Sequence, residues 1–565
     1  MESTKCTSET IEQAITTEKM ESQVEKGNNP IMRTKEDDFG IWQSVRRYKW
    51  VSALAMIAAF SASLDGYQIN LNGGIVANKG FIRQMASPGT KIIDSKYVSA
   101  WGGIQAAGQT IGQIFLQYAT EKYGRKAAFY TLSVFLTAVW TLIAPQRLWT
   151  DFPLATEINY ANIFAFLQSI FAESFSTSWE HWLVAKLLAG MGIGMLQATL
   201  PFYISEIAPT QLKGFLINVY TFWFVLGQLF ASVALNRLNA HNPYDFRTAI
   251  YSQWAMIGIS IIIILIIPES PWWLVSKDKQ TQAAKILQHF YGRIEGYDIQ
   301  EKINAMAATV AEERRIAKEN SQEGMWGIFR GRNGIRFIIA AWPKLTQQFV
   351  GLSVFNTYAV YFFQYAGNKN PFLVTLILSC CQIIAMILTS TLTDRLGRRP
   401  LTVWPYAVTV LSVLCLGIIG CFDYTQKSTS SLLIFFACLA TFSTTGASAI
   451  GYAYAAEVPR QSLRAQTAGW SLAASNLFSI MFSFCTPLMI NGNAHWGVKT
   501  GFFFAATGAI AVIIGWFILP EVSLRTPAEI DELFEKRVDF RKFKGHVTDV
   551  EIIARAHSAT ASQVA

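Results

Sequence analysis

Two short polar turns, Thr120–Lys126 (TEKYGRK) and Thr393–Arg399 (TDRLGRR), each separate a pair of apolar segments long enough to cross a bilayer. Each turn carries an acidic residue, Glu121 or Asp394, and then a glycine with two basic residues, Gly124-Arg125-Lys126 or Gly397-Arg398-Arg399. A bilayer core is crossed by about 20 predominantly apolar residues, so a charged turn between two such runs makes a membrane hairpin. The same hairpin falls between the second and third apolar segments of each half. The chain therefore reads as six spans, a spacer and six more, and parallel halves of this kind are an architecture of secondary transporters.

Composition excludes a soluble protein. Over 565 residues the chain is 52% hydrophobic, 13% aromatic and only 15% charged, too little polar surface to clothe a soluble core of this size. The net charge of +9 does not point to nucleic acid, because the basic residues cluster at the ends of apolar runs as topology determinants do. Of seven cysteines, Cys380, Cys381, Cys415, Cys421, Cys438 and Cys485 fall in or at the edge of apolar segments, where cysteine packs as a small hydrophobe. They imply neither a disulfide framework nor a metal site. The first 40 residues hold no apolar run, so no cleavable signal is expected and the first span directs insertion.

The expected fold is an all-α membrane protein of twelve transmembrane helices in two six-helix bundles. The spans lie near 48–71, 98–119, 127–146, 181–203, 215–236 and 249–267, then near 336–363, 372–392, 400–421, 430–455, 465–489 and 499–519. The corresponding domains are a disordered cytosolic tail over 1–47, a first bundle over 48–267, a cytosolic helical spacer over 268–335, a second bundle over 336–519 and a cytosolic tail over 520–565. Arg46, Arg47 and Lys49, both polar turns and the basic spacer fall on one side, which the positive-inside rule makes cytosolic. An insertion over 147–180 separates the third and fourth spans. Its apolar run IFAFLQSIFAESF is too short to cross and is expected to lie at the interface.

Six motifs, each at its own span, are similar to those of the sugar-porter family of the major facilitator superfamily: GRK after the second span, PFYISEIAP at 201–209, PESPWWL at 268–274, QQFVG at 347–351, TDRLGRRP at 393–400 and PE at 520–521. PESPWWL and GLSVFNTYAVYFFQYAG most resemble the fungal α-glucoside, maltose-type permeases. The resemblance covers nearly the whole chain and implies the major facilitator fold with alternating access.

Charges at the inner ends of the spans follow a repeated pattern. Glu206 precedes Lys213, and Glu457 precedes Arg464, by the same interval in the two halves. Charges that pair when one face is closed and part when it opens bias a gate. The resemblance implies such a salt-bridge network for Glu121, Arg125, Glu206, Asp394, Arg395, Arg398, Glu457 and Arg464. The competing reading is that they only snorkel and set topology.

A polyhydroxylated cargo needs amides and hydroxyls, with aromatic faces for its apolar sides. Candidates within the spans are Gln228, Gln347, Gln348, Ser353, Asn356, Tyr452 and Asn476. The alternative for such groups is interhelical hydrogen bonding. The resemblance implies substrate contact for Gln228 and for the Gln347-Gln348 pair. It also marks departures from hexose carriers, whose usual residues are replaced by Thr221, Ser353, Tyr452 and Ser475-Asn476; the smaller groups imply a roomier site suited to a disaccharide, glycoside or other metabolite.

Proton symport needs a titratable carboxylate in the pathway. Proton-coupled sugar porters place an Asp in the first span opposite a fourth-span Arg, where this chain has Gln68 and Lys186. Asp65 lies about one helical turn from Gln68. The expectation is that Asp65 pairs with Lys186 and takes over proton binding; the competing reading is a fixed ion pair in a uniporter.

The sequence thus reads as a plasma-membrane, multi-pass carrier with both termini cytosolic, a monomer in the lipid bilayer, taking a small-molecule sugar with protons. It is not an enzyme and needs no cofactor or metal. Two alternatives stand beside this reading: the same fold carrying a quinate-like acid or secondary metabolite, and a non-transporting sugar sensor.

Overall fold

The computed structural model describes residues 41–549 apart from 87–92, 124–171, 175, 210–211, 293, 295–298, 320–324, 369, 423–425, 461–462, 492–495, 524 and 526. Among the described residues the chain is helical without strands. The first span is α1 (Lys49–Ala59) and α2 (Ala62–Ile75), broken at Phe60-Ser61, where backbone bonds shorten to three residues. Then come α3 (Ser95–Tyr123), α4 (Trp179–Ile207), α5 (Lys213–His241) and α6 (Arg247–Ile266). The third expected span, 127–146, lies outside the described residues.

The spacer folds as α7 (Pro271–Ser276), α8 (Gln280–Tyr291) and α9 (Ile299–Glu319). Leu274, Val275, Ala283, Met306 and Val310 form their small core, and Tyr291 Oη donates to the Ile207 carbonyl at 2.8 Å, fixing the spacer to the end of α4. The second half begins with α10 (Gly331–Phe349) and α11 (Ala359–Tyr365). It continues with α12 (Pro371–Leu396), α13 (Arg398–Ile419), α14 (Lys427–Glu457), α15 (Arg464–Asn491) and α16 (Thr500–Ile518). Seven of the described helices are individually long and apolar enough to cross a membrane. Of the others, the first and seventh spans are broken, and α3 carries Gln105, Gln109 and Gln113 along its length. The outward faces expose Ile262, Ile266, Ile384, Ile387, Leu411, Ile510 and Ile513, as a surface solvated by lipid must.

Within the first half α3 and α4 touch backbone to backbone. A Cβ on Gly190 would lie 2.1 Å from the Gln105 carbonyl oxygen, so only glycine allows the approach that lets spans associate by close packing. The two halves meet along two seams, α3 against α15 and α5 against α12.

The halves also repeat a latch. Tyr203 on α4 donates its hydroxyl to Pro268 O at 2.7 Å, and Tyr454 on α14 donates to Pro520 O at 2.8 Å. In each half the tyrosine belongs to the fourth span and the proline closes the sixth. The acid after the second proline does something else. Glu521 accepts from the backbone N–H groups of Arg398 at 2.9 Å and Arg399 at 3.0 Å. It therefore caps the first turn of α13 with a negative charge, where the helix dipole favours one. Gly397 precedes that turn at φ +92°, and a Cβ there would sit 2.6 Å from Glu521 Oε2.

Both terminal segments carry helix. Ile41–Arg47, inside the expected disordered tail, is helical, because Ser44 and Tyr48 find buried sites. The tail after Pro520 folds back as α17 (Pro527–Glu535). Ile530, Leu533, Phe534 and Phe543 bury against Ile339, Tyr454 and Leu519, and Arg336 pairs with Asp531.

Glu521→Ala is expected to destabilise the protein by about 1–2 kcal/mol through loss of the cap, and Glu521→Gln by less, since the amide still offers one acceptor. Thermal unfolding in detergent should rank wild type above Gln above Ala; coincident midpoints would refute the cap.

Candidate functional site

The seam between the halves encloses a polar cavity. Its enclosed space is about 170 Å3, and about 1190 Å3 when the open solvent at its mouth is included. From the first half its wall takes Asn72, Gln105, Gln109, Gln113, Gln197, Tyr220, Thr221 and Gln228; from the second it takes Lys344, Gln347, Gln348, Asn356, Gln382, Tyr452 and Asn476. Six of the seven expected substrate residues, Gln228, Gln347, Gln348, Asn356, Tyr452 and Asn476, therefore line one space.

Ser353 does not. Its hydroxyl bonds Thr486 Oγ1 at 2.9 Å inside the second half. The cause is local: Gly351 takes φ +91°, and Ser353–Thr357 forms one wide turn in which Tyr358 N–H reaches back to Ser353 O at 2.9 Å. The extra residue in that turn rotates Ser353 away from the cavity.

The amides bridge the halves directly. Asn476 donates to Gln113 Oε1 at 2.7 Å and Gln228 donates to Asn356 Oδ1 at 3.0 Å, while Ser232 and Ser379 share a bond of 2.9 Å. Toward the end of the bundle opposite the chain termini the backbones themselves close up: a Cβ on Gly73 would stand 1.3 Å from Thr357 O. Gln105, Gln109 and Gln113 recur every four residues on α3, a polar stripe that helical periodicity makes visible and that belongs to none of the six motifs.

The charges in the first half are arranged otherwise than expected. Lys186 is fully buried, but its Nζ lies 2.9 Å from Glu173 Oε1, not against Asp65. Glu173 is itself buried, accepts from the Gln68 amide and is met by the Gln253 amide at 3.3 Å; the Lys186 ammonium also sits 4.6 Å from the Trp182 ring centre. The described end of the insertion thus enters the bundle and supplies an acid beside Gln68. Most of the insertion, 147–171, lies outside the described residues.

Asp65 is also fully buried. Neither carboxylate oxygen accepts a well-formed hydrogen bond, and the Gln197 amide is the group that bears on it. The cavity-lining phenols of Tyr220 and Tyr452 lie within its electrostatic range.

At the inner ends, Arg398 Nη2 lies 3.2 Å from Glu457 Oε1. Glu206, with Glu269, stands close to the Tyr203 hydroxyl. Arg125 and the side chains of Glu121, Asp394, Arg395 and Arg464 lie outside the described residues. No group of acidic, histidine or cysteine side chains among the described residues is arranged to hold a metal.

Residues 54–534 match the family model described as "Sugar (and other) transporter". The chain is 26% identical over 535 residues to the general alpha-glucoside permease of Saccharomyces cerevisiae, covering 91% of this chain and 80% of that one. It is 26% identical to the major facilitator-type transporter ecdD of Aspergillus rugulosus, covering 84% and 86% respectively. Among solved structures it superposes on the proton:xylose symporter XylE bound to 6-bromo-6-deoxy-D-glucose with a TM-score of 0.66 and 20% identity, over 86% of this chain and 99% of that one.

Removing one partner of a buried ion pair leaves a stranded charge, so Lys186→Met and Glu173→Gln should each cost about 3–5 kcal/mol. The double variant should recover most of that loss. Unfolding midpoints in detergent measure it, and a double variant less stable than both singles would mean that the two charges do not act as a pair.

Proposed function

The chain belongs to the sugar (and other) transporter family of major facilitator proteins, and on that premise we propose that it carries a saccharide, an α-glucoside or related oligosaccharide, inward across the plasma membrane by alternating access in symport with protons. The observation that carries the reading is the cavity between the halves, walled by amides, hydroxyls and tyrosine faces that can exchange hydrogen bonds with a polyol. Likeness to the alpha-glucoside permease supports the class of cargo. The positive-inside pattern supports cytosolic termini, and the lipid-facing isoleucines and leucines close each bundle without needing a second copy, which supports a monomer.

In this mechanism Gln347, Gln348, Gln228, Asn356, Asn476 and Tyr452 hold the cargo. The bridges Gln113–Asn476 and Gln228–Asn356 join the halves in the empty carrier, so cargo that accepts and donates in their place loosens one seam and tightens another. Arg398 and Glu457, together with Glu121, Arg125, Glu206, Asp394, Arg395 and Arg464, form the inner latch. Asp65 is the proton site, supported by its burial beside the cavity tyrosines. Lys186 contributes indirectly, by holding Glu173 against Gln68 on the helix that carries Asp65.

Uptake of labelled mono- and disaccharides into a host lacking its own carriers, with and without a protonophore, tests the proposal. Accumulation of an α-glucoside that collapses on protonophore addition is expected, and Gln347→Ala or Gln348→Ala should raise KM about tenfold, the worth of one or two hydrogen bonds. Bare equilibration, indifferent to the protonophore, would remove the proton. Asp65→Asn should equilibrate but not concentrate the sugar; a variant that still concentrates it would remove Asp65 from this role.

A further inference from the structure

The cavity wall holds one lysine and, among the described residues, no carboxylate. Lys344 lies on α10, only 7% exposed. Its Nζ donates to Ser448 Oγ at 3.1 Å and stands 3.6 Å from the centre of the Tyr452 ring. Its aliphatic stem is gripped by α14, where a Cβ on Gly451 would come within 3.2 Å of Cγ and Cε. No described acid pairs with it: Glu173 is taken by Lys186 and Glu457 by Arg398. Asp65 belongs to the other half and does not line the cavity.

An ammonium carries three donors, and Ser448 uses one. A serine hydroxyl and a ring face are neutral partners. They orient the ion without balancing it, and a buried charge left unbalanced is costly. A cation fixed in this way, at the wall of a cavity otherwise made of neutral amides, is matched by an anion that arrives from solution and leaves again. A neutral sugar would need only the amides.

We propose that Lys344 is the anion-recognising residue of the cavity, and that the cargo is a saccharide bearing a carboxylate, of the uronoside or aldonate type. This rests on the saccharide reading above and narrows it. The carboxylate sits against the Lys344 ammonium in a charge-assisted hydrogen bond, Tyr452 closes over the adjoining ring, and Gln347, Gln348 and Asn356 take the hydroxyls.

Two probes isolate the charge: p-nitrophenyl α-D-glucoside and p-nitrophenyl α-D-glucuronide share aglycone, ring and linkage and differ only in a hydroxymethyl replaced by a carboxylate. Binding to the purified full chain in nanodiscs and uptake into proteoliposomes are measured for both. The wild type should prefer the glucuronide by at least tenfold, about 1.4 kcal/mol. Lys344→Met, which keeps the length and discards the charge, should abolish that preference, and Lys344→Arg should retain it. A wild type that takes the glucoside as well or better overturns the inference and leaves the saccharide reading standing, as does a preference that survives Lys344→Met. If neither glycoside binds or moves, the saccharide reading fails and this one with it. Should the Met variant not fold, the wild-type preference alone decides.

Discussion

Hydrocarbon offers no partner to a hydrogen-bonding group, so each amide, hydroxyl and charge in the spans has to be met from inside the protein or from a water-filled cavity. That constraint places the polar side chains of α2, α3, α5, α10 and α15 on the faces that the two halves turn toward each other, and leaves isoleucine and leucine on the outside. The cavity follows from it, because two amide-lined faces that meet at Gln113–Asn476 and Gln228–Asn356 cannot pack as tightly as apolar ones. Close backbone contact elsewhere, as at Gly190 and Gly73, compensates by fixing the helices firmly around the loose centre.

The repeat goes deeper than the two polar turns. Tyr203–Pro268 and Tyr454–Pro520 tie the fourth span to the end of the sixth in both halves, and the two bonds differ in length by only a tenth of an ångström. In each half the inner end of the fourth span is thereby tied to that of the sixth. Glu521 extends that body to α13, so the arginine of the inner turn, Arg398, is held by its backbone through Glu521 and by its side chain through Glu457. The gate proposed for these long charged side chains requires fixed bases, and these bonds fix one of them.

Much of this is legible in the sequence, since span number, the division into halves and the amide pair on α10 follow from apolar run length, a repeated turn and a motif. What is not legible depends on contacts that no local pattern encodes. Ser353 would look inward on a continuous helix; the wide turn after Gly351 rotates it onto Thr486. Lys186 reads as the partner of Asp65 because the resemblance sets a first-span acid opposite a fourth-span cation, whereas Glu173 comes from an insertion whose apolar run is too short to cross. The stripe Gln105, Gln109, Gln113 is readable from its spacing alone, but it lies outside the motifs that mark the other cavity amides. Lys344 stands three residues before Gln347 but belongs to none of the motifs, and its burial between Ser448 and Tyr452 is a tertiary contact that no local pattern encodes.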